Sequence, residues 1–102
     1  MLIDRIEYMT RQLDYPAGFG DLSPVDVLRR NFWFTTFSDP STMPLRHHVG
    51  VDHIMIETDF PHSDSSWPDT QDLLATQLEG IPQNEIERMT CDNAVELYRV
   101  KL

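Results

Sequence analysis

Residues 53–70, HIMIETDFPHSDSSWPDT, bring together side chains able to move protons or hold a metal: His53, Glu57, Asp59 and His62. The first seven of these residues read as a strand, whose successive side chains point to opposite faces. His53, Met55, Glu57 and Asp59 then share one face, while Ile54, Ile56 and Thr58 share the other. In a parallel sheet covered by helices, the isoleucines suit the helix-facing side. The opposite face becomes more polar toward the strand's carboxyl end. A carboxylate buried there is costly unless it is paired, hydrogen-bonded or bound to a metal, and active sites of α/β folds gather at that end of the strands. The residues alone leave two readings open. Glu57 and Asp59 either cap the next loop and pair with an arginine, or they do chemistry.

The rest of the chain supplies elements to position this strand. Leu2, Ile6, Met9 and Leu13 recur at helical spacing with Ile3 beside them, which predicts an amphipathic helix over 2–13. DYPAGFGD breaks it. SPVD at 23–26 has the pattern of a helix start, with Ser23 as cap, Pro24 in the first turn and Asp26 completing a capping box. NFWFTTF, 31–37, is aromatic and β-branched with apolar groups on both faces, which predicts a buried strand. STMPLRHHVG has room for a short helix before the second strand at 53–59. About fifteen residues separate the strands, which suits a βαβ unit better than a hairpin. Asp69 or Thr70 is the expected cap of a helix carrying Leu73, Leu74 and Leu78 that ends at Gly80. Pro82 opens another, and Asn93 is a candidate cap for AVELYRV. The order of elements predicts an α/β fold with parallel strands.

The totals narrow the function classes. The 102 residues suit one domain, and 40% apolar with 25% charged residues is a globular composition. Seventeen acids against eight bases give a net charge of −9, a field that repels nucleic acid and anionic lipid. No run of apolar residues is long enough to span a membrane, and the N-terminus lacks a signal-peptide pattern. The expectation is a soluble, cytoplasmic protein with no nucleic-acid or membrane partner. Cys91 is the only cysteine, so no disulfide framework exists, and it is expected to be a small buried residue.

The 53–70 segment resembles the last-strand motif of the amidohydrolase-related family, metal-dependent (β/α)8-barrel hydrolases and decarboxylases in which a strand ends in Asp-Tyr/Phe-Pro-His followed by Trp-Pro. PVDVLRRNFWFTTF resembles the approach to that family's seventh strand. LEGIPQNEIERMTCDNAVELYRV resembles its closing helices, with the Asn-Ala pair before Leu-Tyr. The resemblance runs from about residue 23 onward in the family's order. It implies that residues 1–102 form the C-terminal part of a TIM barrel, namely its last two βα units and closing helices. By the same resemblance Asp59 is the acid at the end of the eighth strand, beside a divalent metal (zinc being the first expectation) in the complete enzyme. It orients or deprotonates the attacking water there. His62, just past it, is expected to contact a small-molecule substrate or to brace the loop. Trp67 and Pro68 are expected to shape the pocket rim or, more in keeping with their type, to pack on the next helix.

The family's other ligands, a His-x-His pair and a later histidine, have no counterpart here. His47 and His48 are adjacent and point about 100° apart on a helix, and His53 lies about 20 Å from Asp59 at about 3.3 Å per residue. No metal site is expected from this chain alone, and no cofactor is expected to bind it alone. A G-x-S-x-G elbow, a phosphate loop, H-E-x-x-H and a calcium loop are all missing. A barrel of this kind needs roughly 250 residues. The expectation is therefore a segment that is catalytically incomplete by itself and able to self-associate through exposed strand edges. The competing reading is a non-catalytic acidic α/β remnant or interaction module.

Overall fold

The computed structural model describes residues 2–13 and 20–101. The DYPAGFGD break falls mostly outside these residues. The chain divides into two units, 1–32 and 33–102.

The first unit holds two helices, α1 (Leu2–Leu13) and α2 (Pro24–Asn31). Ile3 is buried, whereas Leu2 and Leu13 from the same apolar stripe are exposed. α2 begins as its sequence predicts. The Ser23 hydroxyl accepts from the Asp26 amide at 3.1 Å, and the Asp26 carboxylate accepts from the Ser23 amide at 3.1 Å. Side-chain and then backbone hydrogen bonds from Ser23 hold the Asp26 carboxyl below its usual range. The helix runs to Asn31, so the predicted strand loses its first residue to it.

In the second unit, β1 (Phe34–Thr36) leads through α3 (Thr42–Val49) and a 3₁₀ turn (Val51–His53) into β2 (Ile54–Ile56). The strands pair in parallel, with Phe34 opposite Ile54, Thr35 opposite Met55 and Thr36 opposite Ile56. The chain therefore makes a βαβ unit and not a hairpin. Gly50, at φ 116°, turns the chain from α3 into the 3₁₀ turn in a conformation that side-chain-bearing residues rarely adopt. α4 (Thr70–Gln77) follows the long loop. Asp69 stands at its cap position, although its side chain makes no capping hydrogen bond.

The last helical stretch departs from its prediction. α5 (Gln83–Glu87), a π turn (Arg88–Asp92) and α6 (Asn93–Tyr98) follow one another without interruption. Asn93 is therefore inside a helix and is not a cap. It is 1% exposed, and its side-chain amide donates to the carbonyls of Val51 at 2.8 Å and Ile54 at 2.7 Å. Arg88 on the π turn adds a link to Asp52 at 3.1 Å and one to Glu96 at 3.2 Å. The closing helix thus grips the residues that lead into β2.

The core of this unit is Met43, Ile54, Leu78 and Met89, with Ile56, Leu74, Ile81 and Ile86 packed around it. Ile54 and Ile56 face the helices, as the alternation predicts. Full burial of a side chain such as Ile54 or Met89 contributes about 1.5–3 kcal/mol each. The first strand is less covered than its composition predicts: Thr36 is buried, but Phe34 is 38% exposed. Cys91 is also exposed, against expectation, since two helical residues past the core-facing Met89 it points to the outer side. No helix among the described residues is long and apolar enough to cross a membrane.

Candidate active site at the end of the second strand

β2 is shorter than the predicted strand. His53 belongs to the 3₁₀ turn, where its ring lies 4.4 Å from that of Trp33. Beyond Ile56, one more ladder bond forms, from the Glu57 amide to the Thr36 carbonyl at 3.0 Å. The chain then leaves the sheet. The predicted shared face of His53, Met55, Glu57 and Asp59 does not extend over its full length, because His53 precedes the pleat and Asp59 follows it. Glu57 is exposed, so no carboxylate is forced into a dry interior at this position.

Asp59 adopts φ 56°, in the left-handed region. This conformation costs an L-residue about 1–2 kcal/mol, and Asp is among the few that visit it. Strained residues of this kind concentrate where a side chain must be aimed. The turn that follows is fastened twice to Asp59. The His62 amide donates to the Asp59 carbonyl at 2.9 Å, and His62 Nδ1 lies 2.9 Å from Asp59 Oδ1. The Phe60–Pro61 and Trp67–Pro68 peptide bonds are cis.

The residue before the acid is anchored as well. The Thr58 carbonyl accepts from the Ser66 amide at 3.0 Å, and the Thr58 hydroxyl accepts from the Phe60 amide at 3.3 Å. Ser66 Oγ lies 3.1 Å from the hydroxyl of Thr70, which is buried at the start of α4. The loop is thereby tied to the helix behind it. Ser65 accepts from the Trp67 amide at 3.0 Å. Trp67 is 64% exposed and meets Phe60 edge-on, with ring centroids 6.1 Å apart. It therefore lies on the rim of the loop, where packing on the next helix had been the favoured expectation.

His62 is thus placed against Asp59, with most of its ring in solvent. The hydrogen bond to Asp59, and then the charge of that carboxylate, raise the His62 pKa above its ordinary 6.5. A raised folded-state pKa stabilises the turn fully below the unfolded value, and the contribution disappears as pH rises through the folded one. A proton NMR titration should therefore give His62 a midpoint above 6.5. In Asp59→Asn the midpoint should fall back toward 6.5. Identical midpoints in the two proteins would show that the pair does not form in solution.

Other polar residues fall away from this site. His47 is mostly exposed and reaches Glu85 at 3.4 Å, while Arg46 pairs with the same carboxylate and ties α3 to α5. Among the described residues, no group of three or more His, Cys, Asp and Glu side chains is placed to hold a metal ion. Asp59 and His62 are two such groups, and each is engaged with the other. The part the sequence did not reveal is the set of ties behind the acid, from Thr58, Ser66 and Thr70. Threonine and serine beside a carboxylate are the only trace of it in the sequence.

The chain matches the solved structure of an amidohydrolase from Mycobacterium avium subsp. paratuberculosis K-10 with a TM-score of 0.74 and 25% sequence identity. The match covers 99% of this chain and 25% of the other, so the chain spans about a quarter of that protein's length. No curated protein matches the chain. Its sequence fits the amidohydrolase family over residues 12–100, nearly the whole of the described chain, and the chain belongs to that family.

Proposed function

We propose that this chain is the C-terminal segment of a metal-dependent amidohydrolase-type (β/α)8 barrel, and that it carries the acid–base carboxylate of a hydrolase or decarboxylase acting on a small organic substrate. The observation that carries the reading is the position of Asp59. It stands immediately past the carboxyl end of a parallel strand, in a left-handed conformation, and is held by its own turn. Catalytic groups of α/β barrels occupy that end of the strands.

The described residues do not by themselves fit a metal centre, since one carboxylate and its histidine partner fall short of a ligand set. What they supply is proton chemistry. The Asp59 carboxylate accepts a proton, and the protonated His62 ring beside it donates a hydrogen bond that fixes its orientation. The rest of the site would come from the remaining strands of the barrel, and the chain alone is catalytically incomplete. The open edges of β1 and β2 are the surfaces through which those strands, or a second copy, would join it.

The test is the mass of the endogenous protein, detected with an antibody raised against residues 83–98. The expected band is several times larger than 11.9 kDa, and metal analysis and activity measurements would follow on that species. A sole band at 11.9 kDa would overturn the reading in favour of a non-catalytic α/β module.

A further inference from the structure

We infer that Thr58 and Ser66 are positioning residues that aim the Asp59 carboxylate, an inference that rests on the catalytic role proposed for Asp59 above. A peptide unit is planar, so a side chain's direction follows from how the two planes flanking its Cα are held. At Asp59 both planes are fastened by groups outside the residue itself. The Thr58 carbonyl lies in the first plane and accepts from the Ser66 amide at 3.0 Å and the Ser66 hydroxyl at 3.4 Å. The second plane is held at both of its ends. Its carbonyl, that of Asp59, accepts from the His62 amide at 2.9 Å, and its N–H, that of Phe60, donates to the Thr58 hydroxyl at 3.3 Å.

These ties explain how Asp59 keeps its φ of 56°. A strained backbone persists only where its surroundings over-determine it. Two of the four bonds come from side-chain hydroxyls, those of Ser66 and Thr58. The Ser66 hydroxyl is itself anchored, since it lies 3.1 Å from the hydroxyl of Thr70, which is buried in the first turn of α4. With the Ser66 proton directed at the Thr58 carbonyl, the Thr70 hydroxyl donates to Ser66 Oγ. A continuous path thus runs from α4, which packs on the core through Leu74, to the backbone of the acid.

His62 does not aim the acid by itself. Its ring is mostly in solvent, and its bonds to Asp59 close a short turn that is free to swing as one piece. The Thr58 and Ser66 ties stop that swing because they lead to the end of the strand and to a buried helix residue. Aim matters to a proton acceptor, which must come within about 2.6–3.2 Å of the atom that gives the proton. A misplacement of about 1 Å costs a reaction about 10²-fold.

Two readouts separate aim from mere stability. The first is the NOE between a residue's own amide and α protons, which is strong where φ is positive. In the 102-residue chain Asp59 should show it, Thr58→Val and Ser66→Ala should weaken it, and Thr58→Ser, which keeps the hydroxyl, should retain it. The second is turnover of the complete hydrolase. Thr58→Val should lower kcat about tenfold with KM within about twofold, and Thr58→Ser should recover most of the loss. The inference is overturned if the unsubstituted chain lacks the strong NOE at Asp59, or if the NOE survives in both Thr58→Val and Ser66→Ala. Normal turnover in Thr58→Val, where Asp59→Asn is impaired, also overturns it. Unchanged turnover in Asp59→Asn sinks the catalytic reading instead, and the NOE comparison still decides whether Thr58 and Ser66 aim the residue.

Discussion

In the complete hydrolase proposed above, Asp59→Asn is expected to lower turnover by about 10²- to 10⁴-fold, the usual contribution of a positioned acid–base group. The substitution isolates charge from shape. Asn matches the size of Asp and tolerates the left-handed backbone at least as well, so the φ of 56° at this position does not oppose it. The turn keeps its backbone hydrogen bond from His62 to residue 59, and the carboxamide oxygen still reaches the imidazole. Only the ability to take a proton is lost. The measurement is kcat for the two proteins at matched metal content, with urea unfolding as the check that stability is retained. Equal turnover would remove Asp59 from the mechanism and leave its strained backbone without a catalytic explanation.

The second large effect is expected far from any chemistry. Asn93→Ala should destabilise the chain by about 2–4 kcal/mol, since it removes two buried hydrogen bonds and strands the carbonyls they satisfied. Those carbonyls belong to Val51 and Ile54, the last turn before β2 and its first residue. Asn93→Asp should cost more, because a carboxylate would turn acceptors toward two carbonyl oxygens. Urea denaturation gives the stability change. Amide exchange at Glu57, whose N–H pairs with Thr36, shows whether the far end of the strand loosens with it. A change within about 0.5 kcal/mol, the range of ordinary surface substitutions, would mean that the two bonds contribute little and that Met89 and Ile54 alone hold the helix to the strand. The Asn-Ala pair ahead of Leu-Tyr thus has a physical task in this fold. Asn93 holds in place the strand that leads to Asp59.

The 2.0 and 3.6 periodicities carried most of the architecture. Ile54 and Ile56 face the helices because alternation leaves them no other side, and Ser23, Pro24 and Asp26 start α2 because their side chains satisfy the first free amides. The parallel pairing of β1 and β2 follows from the length between them. Glu57 and Asp59 stood out together from the alternation of the strand, and the resemblance over the same residues singled out Asp59 and named the family that the comparison bears out.

Tertiary structure decided what those patterns leave free. Strand length was one such matter. NFWFTTF has strand composition throughout, yet Asn31 closes a helix and Phe34 remains partly in solvent, because propensity yields to whichever backbone partners are present. The alternation that put Glu57 and Asp59 on one face ended with the ladder, and the left-handed turn at Asp59 then set its direction. Asn93 reads as a cap by residue type, since a free amide side chain near a helix start has that use most often. Its two acceptors lie about forty residues earlier in the chain, and no local pattern records them. Cys91 was read as buried from its hydrophobic character, but Met89 faces the core and Cys91, two residues on, lies on the opposite face. The sequence by itself determined which residues prefer to be inside and which stretch carries the acid. Only packing between distant segments decided where each helix face points and how the acid is aimed, because those contacts depend on groups that are neighbours in space and strangers in sequence.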